Sequence, residues 1–355
     1  MKTLGFVGTA KNTGKTTTAL HILDLVNAAG IGAALTSIGY DGENTDHVTG
    51  LPKPRYFAGQ GIIIATARRC LDFGTARYTD VQPTGLKTIL GEIVIATVAE
   101  AGYVVLAGPN RKTDIHTLLG YLKSQAVELT MLDGALNRLA AMVLADGMVL
   151  STGAAFDERV EVVASHAAAM ESLFHYPQYN FADYTDARVV SYNSPNAQTC
   201  QLKISSVLEE SALQQLAGWL TPEETGTCLI PGVFSPQLFQ QLVVEHPARL
   251  GGKTFVFTSP LNLLAAGSPQ TWQASFARLD QLGARIAYLT PIPLHFLTVN
   301  PFYPQYLQKT GQYVAAYVDK HALLRQTRAA IRTTPVIDIL QPPHPDLLAL
   351  CSLKT

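Results

Sequence analysis

The chain has 355 residues, 47% hydrophobic and 15% charged, which is enough apolar material for the cores of two ordinary domains. With 26 Lys and Arg against 27 Asp and Glu, the net charge is −1, and no global electrostatic reason exists to bind nucleic acid or an anionic membrane. The four cysteines, Cys70, Cys200, Cys228 and Cys351, stand far apart without a C-x-x-C pair, which speaks against a zinc site or a disulfide scaffold and for reduced thiols. No apolar run reaches bilayer-spanning length, and the chain opens into a strand pattern instead of a basic-then-apolar leader. A cytoplasmic address without membrane contact is the expectation.

The first twenty residues, MKTLGFVGTAKNTGKTTTAL, join a short apolar run (Leu4 to Val7) to a glycine-bounded loop ending Gly14-Lys15-Thr16 and then to a helical pattern. A loop that curls into a helix N-terminus aims its backbone N–H groups at one spot, where the helix dipole adds positive charge, so a phosphate can be held there. Lys15 then supplies a full charge to the β and γ phosphates of a nucleotide, and Thr16 a hydroxyl to Mg²⁺. The pattern G-x-x-x-x-G-K-[ST] is not matched strictly, because five residues separate Gly8 from Gly14 and its first position falls on Thr9. The nucleotide cradle is therefore expected over Gly8, Thr9, Lys11, Asn12, Thr13, Gly14, Lys15, Thr16 and Thr17. A plain strand-to-helix turn with a solvated lysine is the alternative.

Helical spacing continues from Thr16 to Ala29, Gly30 closes it, and Gly32 to Ile38 reads as a buried strand. The glycine- and acid-rich loop beyond contains Asp41, Glu43 and Asp46. Loops after strands at the carboxyl edge of a parallel sheet carry ligands, so Asp41 is a candidate for the Mg²⁺ shell. Runs at Ile62 to Ala65, Ile93 to Val98 and Tyr103 to Leu106 suggest an antiparallel insertion over about residues 52–110. Lys53, Arg55, Arg68 and Arg69 nearby are read as solvated.

A helix from Asp114 to Gln125 leads into the apolar run Leu129 to Leu132, which delivers Asp133 at a strand's end. A Mg²⁺-holding carboxylate downstream of a phosphate loop is delivered in this way, so Lys15 and Asp133 are the catalytic candidates, and Thr16, Asp41 and Asp133 the metal ligands. Arg138 is an exposed helical arginine or a phosphate contact. Gly147 to Leu150 reads as a strand, Ser151 to Ala154 as a turn with room for a nucleoside base or partner, and Asp157 to Phe174 as a helix.

A domain boundary is expected near 175, with a nucleotide-binding domain before it and a second α/β domain over 176–355 for a partner or ligand. Strands are expected at Thr227 to Ile230, Thr254 to Thr258 and Arg285 to Leu289, and helices at Pro236 to Val244, Pro269 to Leu282 and Gln312 to Arg328. The segments Pro231 to Ser235 and Thr290 to Pro304 read as strand-end loops of the kind that make small-molecule or partner sites, with plain turn chemistry as the alternative for Thr298 to Pro301. His295 reads as a satisfied, partly buried histidine.

Taken together, the blocks GTAKNTGKTTT, LTSIGYDGE with TGLPKPR, LGEIVIA, LAGPN, DGALNR, ADGMVLSTGAA and TVNPFYP resemble the P-loop subunit of the lysine 5,6-aminomutase and ornithine aminomutase reactivases. The loop length is similar to that of dethiobiotin synthetase-like P-loop NTPases. The resemblance implies an α/β P-loop NTPase fold with a mainly parallel sheet, and ATP and Mg²⁺ as cofactors. It also implies a MutS-like ATPase subunit and a B12-dependent aminomutase as partners, and ATP-driven exchange of damaged cobalamin for intact adenosylcobalamin. A homo-oligomer is compatible with it. The competing reading is an ATP-dependent ligase or kinase of the dethiobiotin synthetase type acting on a small carboxylate, with Lys11 facing the γ-phosphate.

Overall fold

The computed structural model describes residues 1–41, 55–134, 142–180, 189–194, 199–204, 209–222 and 224–353, and of Asp41 the backbone alone. Glu43, Asp46, Lys53 and Arg138 lie outside the described residues. The chain divides into two compact units, one formed by Met1–Ala167 with Leu294–Thr355 and the other by Ala168–Pro293. The expected second domain over 176–355 is corrected by this division. From Leu294 the chain supplies two further strands to the sheet of the first unit, so the second unit is an insertion that begins at Ala168 and ends at Pro293.

The first unit is built on a sheet of nine described strands: β1 (Lys2–Gly8), β2 (Ala33–Ser37), β3 (Ile63–Ala67), β4 (Arg77–Thr88), β5 (Gly91–Glu100), β6 (Leu129–Asp133), β7 (Gly147–Gly153), β8 (Leu294–Asn300) and β9 (Val336–Ile337). They stand in the order β9-β8-β7-β1-β6-β2-β3-β5-β4. The seven from β9 to β3 are parallel, and β5 and β4 add an antiparallel edge. The expected insertion is thus antiparallel within itself, yet β3 docks parallel on β2 and extends the main sheet.

Helices cover both faces, as burial of a parallel sheet requires. Helix α1 (Lys15–Ala28) turns Ala19, Ile22, Leu23 and Val26 into a core shared with Leu4, Phe6, Leu129, Met131, Val149 and Phe296. On the opposite face α2 (Lys112–Lys123) packs Leu118 and Leu122 with Ala34, Ala65, Ile93 and Ile95. Each large aliphatic side chain so buried contributes about 1.5–3 kcal/mol. Alternation along β1 explains its glycine: Leu4 and Phe6 point toward α1, while a Cβ on Gly5 would lie 3.1 Å from the Met142 sulfur.

Three expected segments differ. Ser151–Gly153 belongs to β7 and is buried, because the apolar run continues into hydroxyls that are satisfied inside. Thr290 to Pro304 is mostly strand, β8 followed by Phe302–Leu307. Gln312 to Arg328 splits into a strand, Gln312–Tyr317, that forms a hairpin with Phe302–Leu307, and a helix, Lys320–Ala330, opened by the Asp319 side chain as N-cap.

The second unit has parallel strands Gly226–Ile230, Lys253–Phe257 and Arg285–Tyr288, with Val189–Asn193 and Thr199–Lys203 added antiparallel. Phe234, Phe239, Phe257, Trp272 and Phe276 form its aromatic core. Pro231 to Ser235 therefore serves packing and capping, since Phe234 is buried and Ser235 caps the helix Pro236–Glu245. Among the described residues no helix is long and apolar enough to cross a membrane.

Candidate functional site

Gly8, Ser37, Asp133, Gly153 and Asn300 end β1, β2, β6, β7 and β8 at the same carboxyl edge, because those strands are parallel neighbours. From β1 the chain goes to β2 on one side, and β6 then leads to β7 on the other. Such a reversal opens a crevice at the strand ends where ligands bind in α/β sheets. Residues 9–14 cross this crevice and deliver α1.

The loop is held from three directions. Thr9 N–H donates to the Ser151 carbonyl at 2.9 Å, and Thr9 Oγ1 donates to Thr152 Oγ1 at 3.0 Å. Asn300 Nδ2 donates to the Asn12 carbonyl at 3.0 Å, while Asn300 Oδ1 accepts from Phe302 N–H at 3.2 Å. Thr13 Oγ1 donates to the Ala10 carbonyl at 2.9 Å. Asn12 adopts φ +65° and Gly14 φ +91°, both left-handed, a region that costs a non-glycine residue energy unless surrounding bonds over-determine it. The Asn300 bond meets that condition at Asn12.

Two glycines are constrained, Gly8 by space and Gly14 chiefly by its backbone conformation. A Cβ on Gly8 would lie 2.6 Å from Thr13 Oγ1, and one on Gly14 would lie 3.2 Å from the Asn300 Cβ. Gly14 is the N-cap of α1 and has no side chain with which to cap it. The first turn of α1, the helix's positive end, begins directly after this loop.

Lys15, first residue of α1, places its ammonium against Asp133 Oδ1. Tyr56 donates its hydroxyl to Asp133 Oδ2 at 2.9 Å. Asp133 is 3% exposed and Lys15 17%, so the carboxylate is buried with a partner on each oxygen, as a buried charge requires. Behind α1, the buried hydroxyls of Thr18, Thr298 and Ser151 close a ring, with 2.9 Å from Thr18 to Thr298, 2.9 Å from Thr298 to Ser151 and 3.4 Å from Ser151 to Thr18. This ring ties the start of α1 to β7 and β8.

Of the residues anticipated from sequence, Gly8, Thr9, Asn12, Thr13, Gly14, Lys15 and Asp133 meet at this edge. Thr16 and Thr17 lie partly exposed in the first turn of α1, and Lys11 is exposed on the loop. Asp41 pairs by its backbone with Leu106 in a short antiparallel bridge. Among the other cations, Arg55 lies over the Tyr103 ring at 4.8 Å and Arg68 stands 3.9 Å from Glu92. His295 sits on β8, half-buried beside Gly147. Tyr56 was not anticipated as a site residue; Ser151 and Thr152 were expected in a turn for a nucleoside base or partner and Thr298 in a strand-end loop, and all three lie in strands, bonded to the loop or to α1. The hydroxyls following the apolar run of β7 were the available signal for Ser151 and Thr152; for Tyr56 nothing in its spacing pointed to Asp133.

No protein-family model, no curated protein and no solved structure matches this chain.

Proposed function

We propose that the chain is a P-loop NTPase whose loop 8–16 binds Mg²⁺ and ATP, acting as the nucleotide-dependent component of a reactivating factor for an adenosylcobalamin-dependent amino-acid aminomutase. The observation that carries the first half is the pairing of Lys15, at the start of α1, with Asp133, a buried carboxylate on the adjacent strand. A loop without room for a Cβ at Gly8, a set of helix-terminal amides and one lysine suit a polyphosphate. One carboxylate, with Thr16 following Lys15 in the first turn of α1, suits Mg²⁺, which takes few protein ligands and keeps its waters.

On this reading the amides of the α1 first turn donate to phosphate oxygens, and Lys15 leaves Asp133 to neutralise their charge. Thr16 and Asp133 hold Mg²⁺, Asp133 directly or through water. Bound ATP supplies a phosphoanhydride whose cleavage separates two states of the protein. A ligand shifts an equilibrium only by its differential affinity for the two states, so strand-end segments that sense the terminal phosphate would carry the change to a partner.

The aminomutase assignment rests on the resemblance of sequence blocks. Four of them, around residues 8–18, 133, 151–152 and 298–300, are distant in the chain yet share hydrogen bonds at one edge of the sheet. The test is reactivation: with ATP, fresh adenosylcobalamin and the MutS-like partner, the protein restores an inactivated aminomutase. No recovery, with phosphorylation of a small carboxylate in its place, would move the assignment to the ligase class.

A further inference from the structure

We infer that Tyr56 is a positioning residue for the cation at the proposed nucleotide site, holding Asp133 in place when Lys15 leaves it. The inference rests on the nucleotide reading above. Both carboxylate oxygens of Asp133 are engaged, Oδ1 by Lys15 and Oδ2 by Tyr56 at 2.9 Å. The two partners differ in what they can do next. Lys15 stands at the start of α1, beside the amides that would receive phosphate, and its side chain is 17% exposed. It has a better electrostatic partner as soon as a polyphosphate arrives. Tyr56 is 5% exposed and packs in the core that includes Leu106 and Ala58, on the short strand Tyr56–Ala58 paired with Gly102–Val104. Its hydroxyl has no comparable route away.

Transfer of Lys15 to phosphate would take its ammonium from Oδ1 while Tyr56 stays on Oδ2. A carboxylate still bound through Oδ2 turns less freely about χ2, whose torsional preference is broad, and so presents Oδ1 in a steadier direction. Groups that hydrogen-bond a metal-ligating carboxylate typically alter metal affinity 10–100-fold when removed. Binding is therefore ordered: the ammonium of Lys15 occupies the cation's oxygen until nucleotide withdraws it. Mg²⁺ alone gains little at this site, and nucleotide and Mg²⁺ enhance each other, a reciprocal coupling.

The experiment is calorimetric titration of the full chain with ATP, in EDTA and in excess Mg²⁺, for wild type, Tyr56→Phe and Asp133→Asn, with thermal unfolding of each free protein. Tyr56→Phe keeps the ring and its packing and removes the hydroxyl alone. The expected result is that Tyr56→Phe leaves ATP affinity in EDTA within about threefold of wild type, while roughly a tenfold share of the Mg²⁺ enhancement disappears. Asp133→Asn is expected to abolish the enhancement and to strengthen Mg²⁺-free binding by releasing Lys15. Equal Mg²⁺ enhancement in wild type and Tyr56→Phe would overturn the inference while leaving the nucleotide reading intact. Absence of ATP binding by wild type in both buffers would overturn the nucleotide reading itself. Should Tyr56→Phe unfold, the same titrations are run on it at lower temperature in sucrose, which favours the folded state. Loss of Mg²⁺ enhancement in the folded variant supports the role, and wild-type enhancement contradicts it.

Discussion

Lys15 and Asp133, 118 residues apart, meet as an ion pair because β1 and β6 are adjacent parallel strands whose ends share an edge. Lys15 follows the loop that leaves β1, and Asp133 is the last residue of β6, registered against Phe6. Removing the ammonium alone leaves a carboxylate 3% exposed with the Tyr56 hydroxyl as its described neutral donor. Lys15→Met is therefore expected to destabilise the ligand-free protein by about 1–3 kcal/mol, the cost of stranding a buried polar group. The double variant with Asp133→Asn should lose less than the sum of the two single variants. Denaturant unfolding of all four proteins closes that cycle.

Gly8→Ala tests the cradle sterically. Its Cβ would press on Thr13 Oγ1 at 2.6 Å and on the Ala10 carbonyl at 3.1 Å, so the loop must open. The account expects a folded protein with near-native circular dichroism and at least tenfold weaker nucleotide binding; unchanged affinity would place the ligand elsewhere.

Asn300→Ala removes two hydrogen bonds, one that holds the loop at the Asn12 carbonyl and one from Phe302 N–H that fixes the Asn300 amide. About 1 kcal/mol for each is the expected stability loss. Nucleotide affinity should fall as well, because Asn12 would no longer be fixed at φ +65°. Hydrogen exchange of the amides in residues 9–16 should rise in this variant and stay constant elsewhere.

The pH dependence of stability follows from two histidines. Burial lowers His295, with Lys2 adding in the same direction, and burial lowers His21, which faces His344 and Asp24. For a base whose folded value lies below its ordinary 6.5, the unfolded chain binds more protons as pH falls through that window, so stability rises with pH there. Urea midpoints are expected to drop between pH 7 and pH 5.5, and His295→Gln should flatten the slope. A flat wild-type profile would contradict the burial argument.

The loop and Asp133 were readable because their signals are local. Glycine spacing before Lys15-Thr16 marks a strand-to-helix turn, and an apolar run ending in an acid marks a buried strand's edge. What the sequence could not show was set by pairing at long range. Hydroxyls at Ser151 and Thr152 look like turn residues until β1 and β8 flank them, and Tyr56 acquires its meaning from β6, 77 residues further along. The return of 294–355 to the first sheet was hidden for the same reason, since parallel pairing leaves no mark of its partner in a strand's composition. The second strand of the hairpin, Gln312–Tyr317, reads from sequence as the start of a helix because Tyr313, Val314 and Tyr317 also fit helical spacing.

Calorimetric titration of Mg²⁺ and ATP into wild type and Lys15→Ala measures the central claim most directly. The account predicts saturable binding by wild type at one site per chain and its loss in a folded Lys15→Ala variant; equal affinity in the two proteins, or none in wild type, would contradict it.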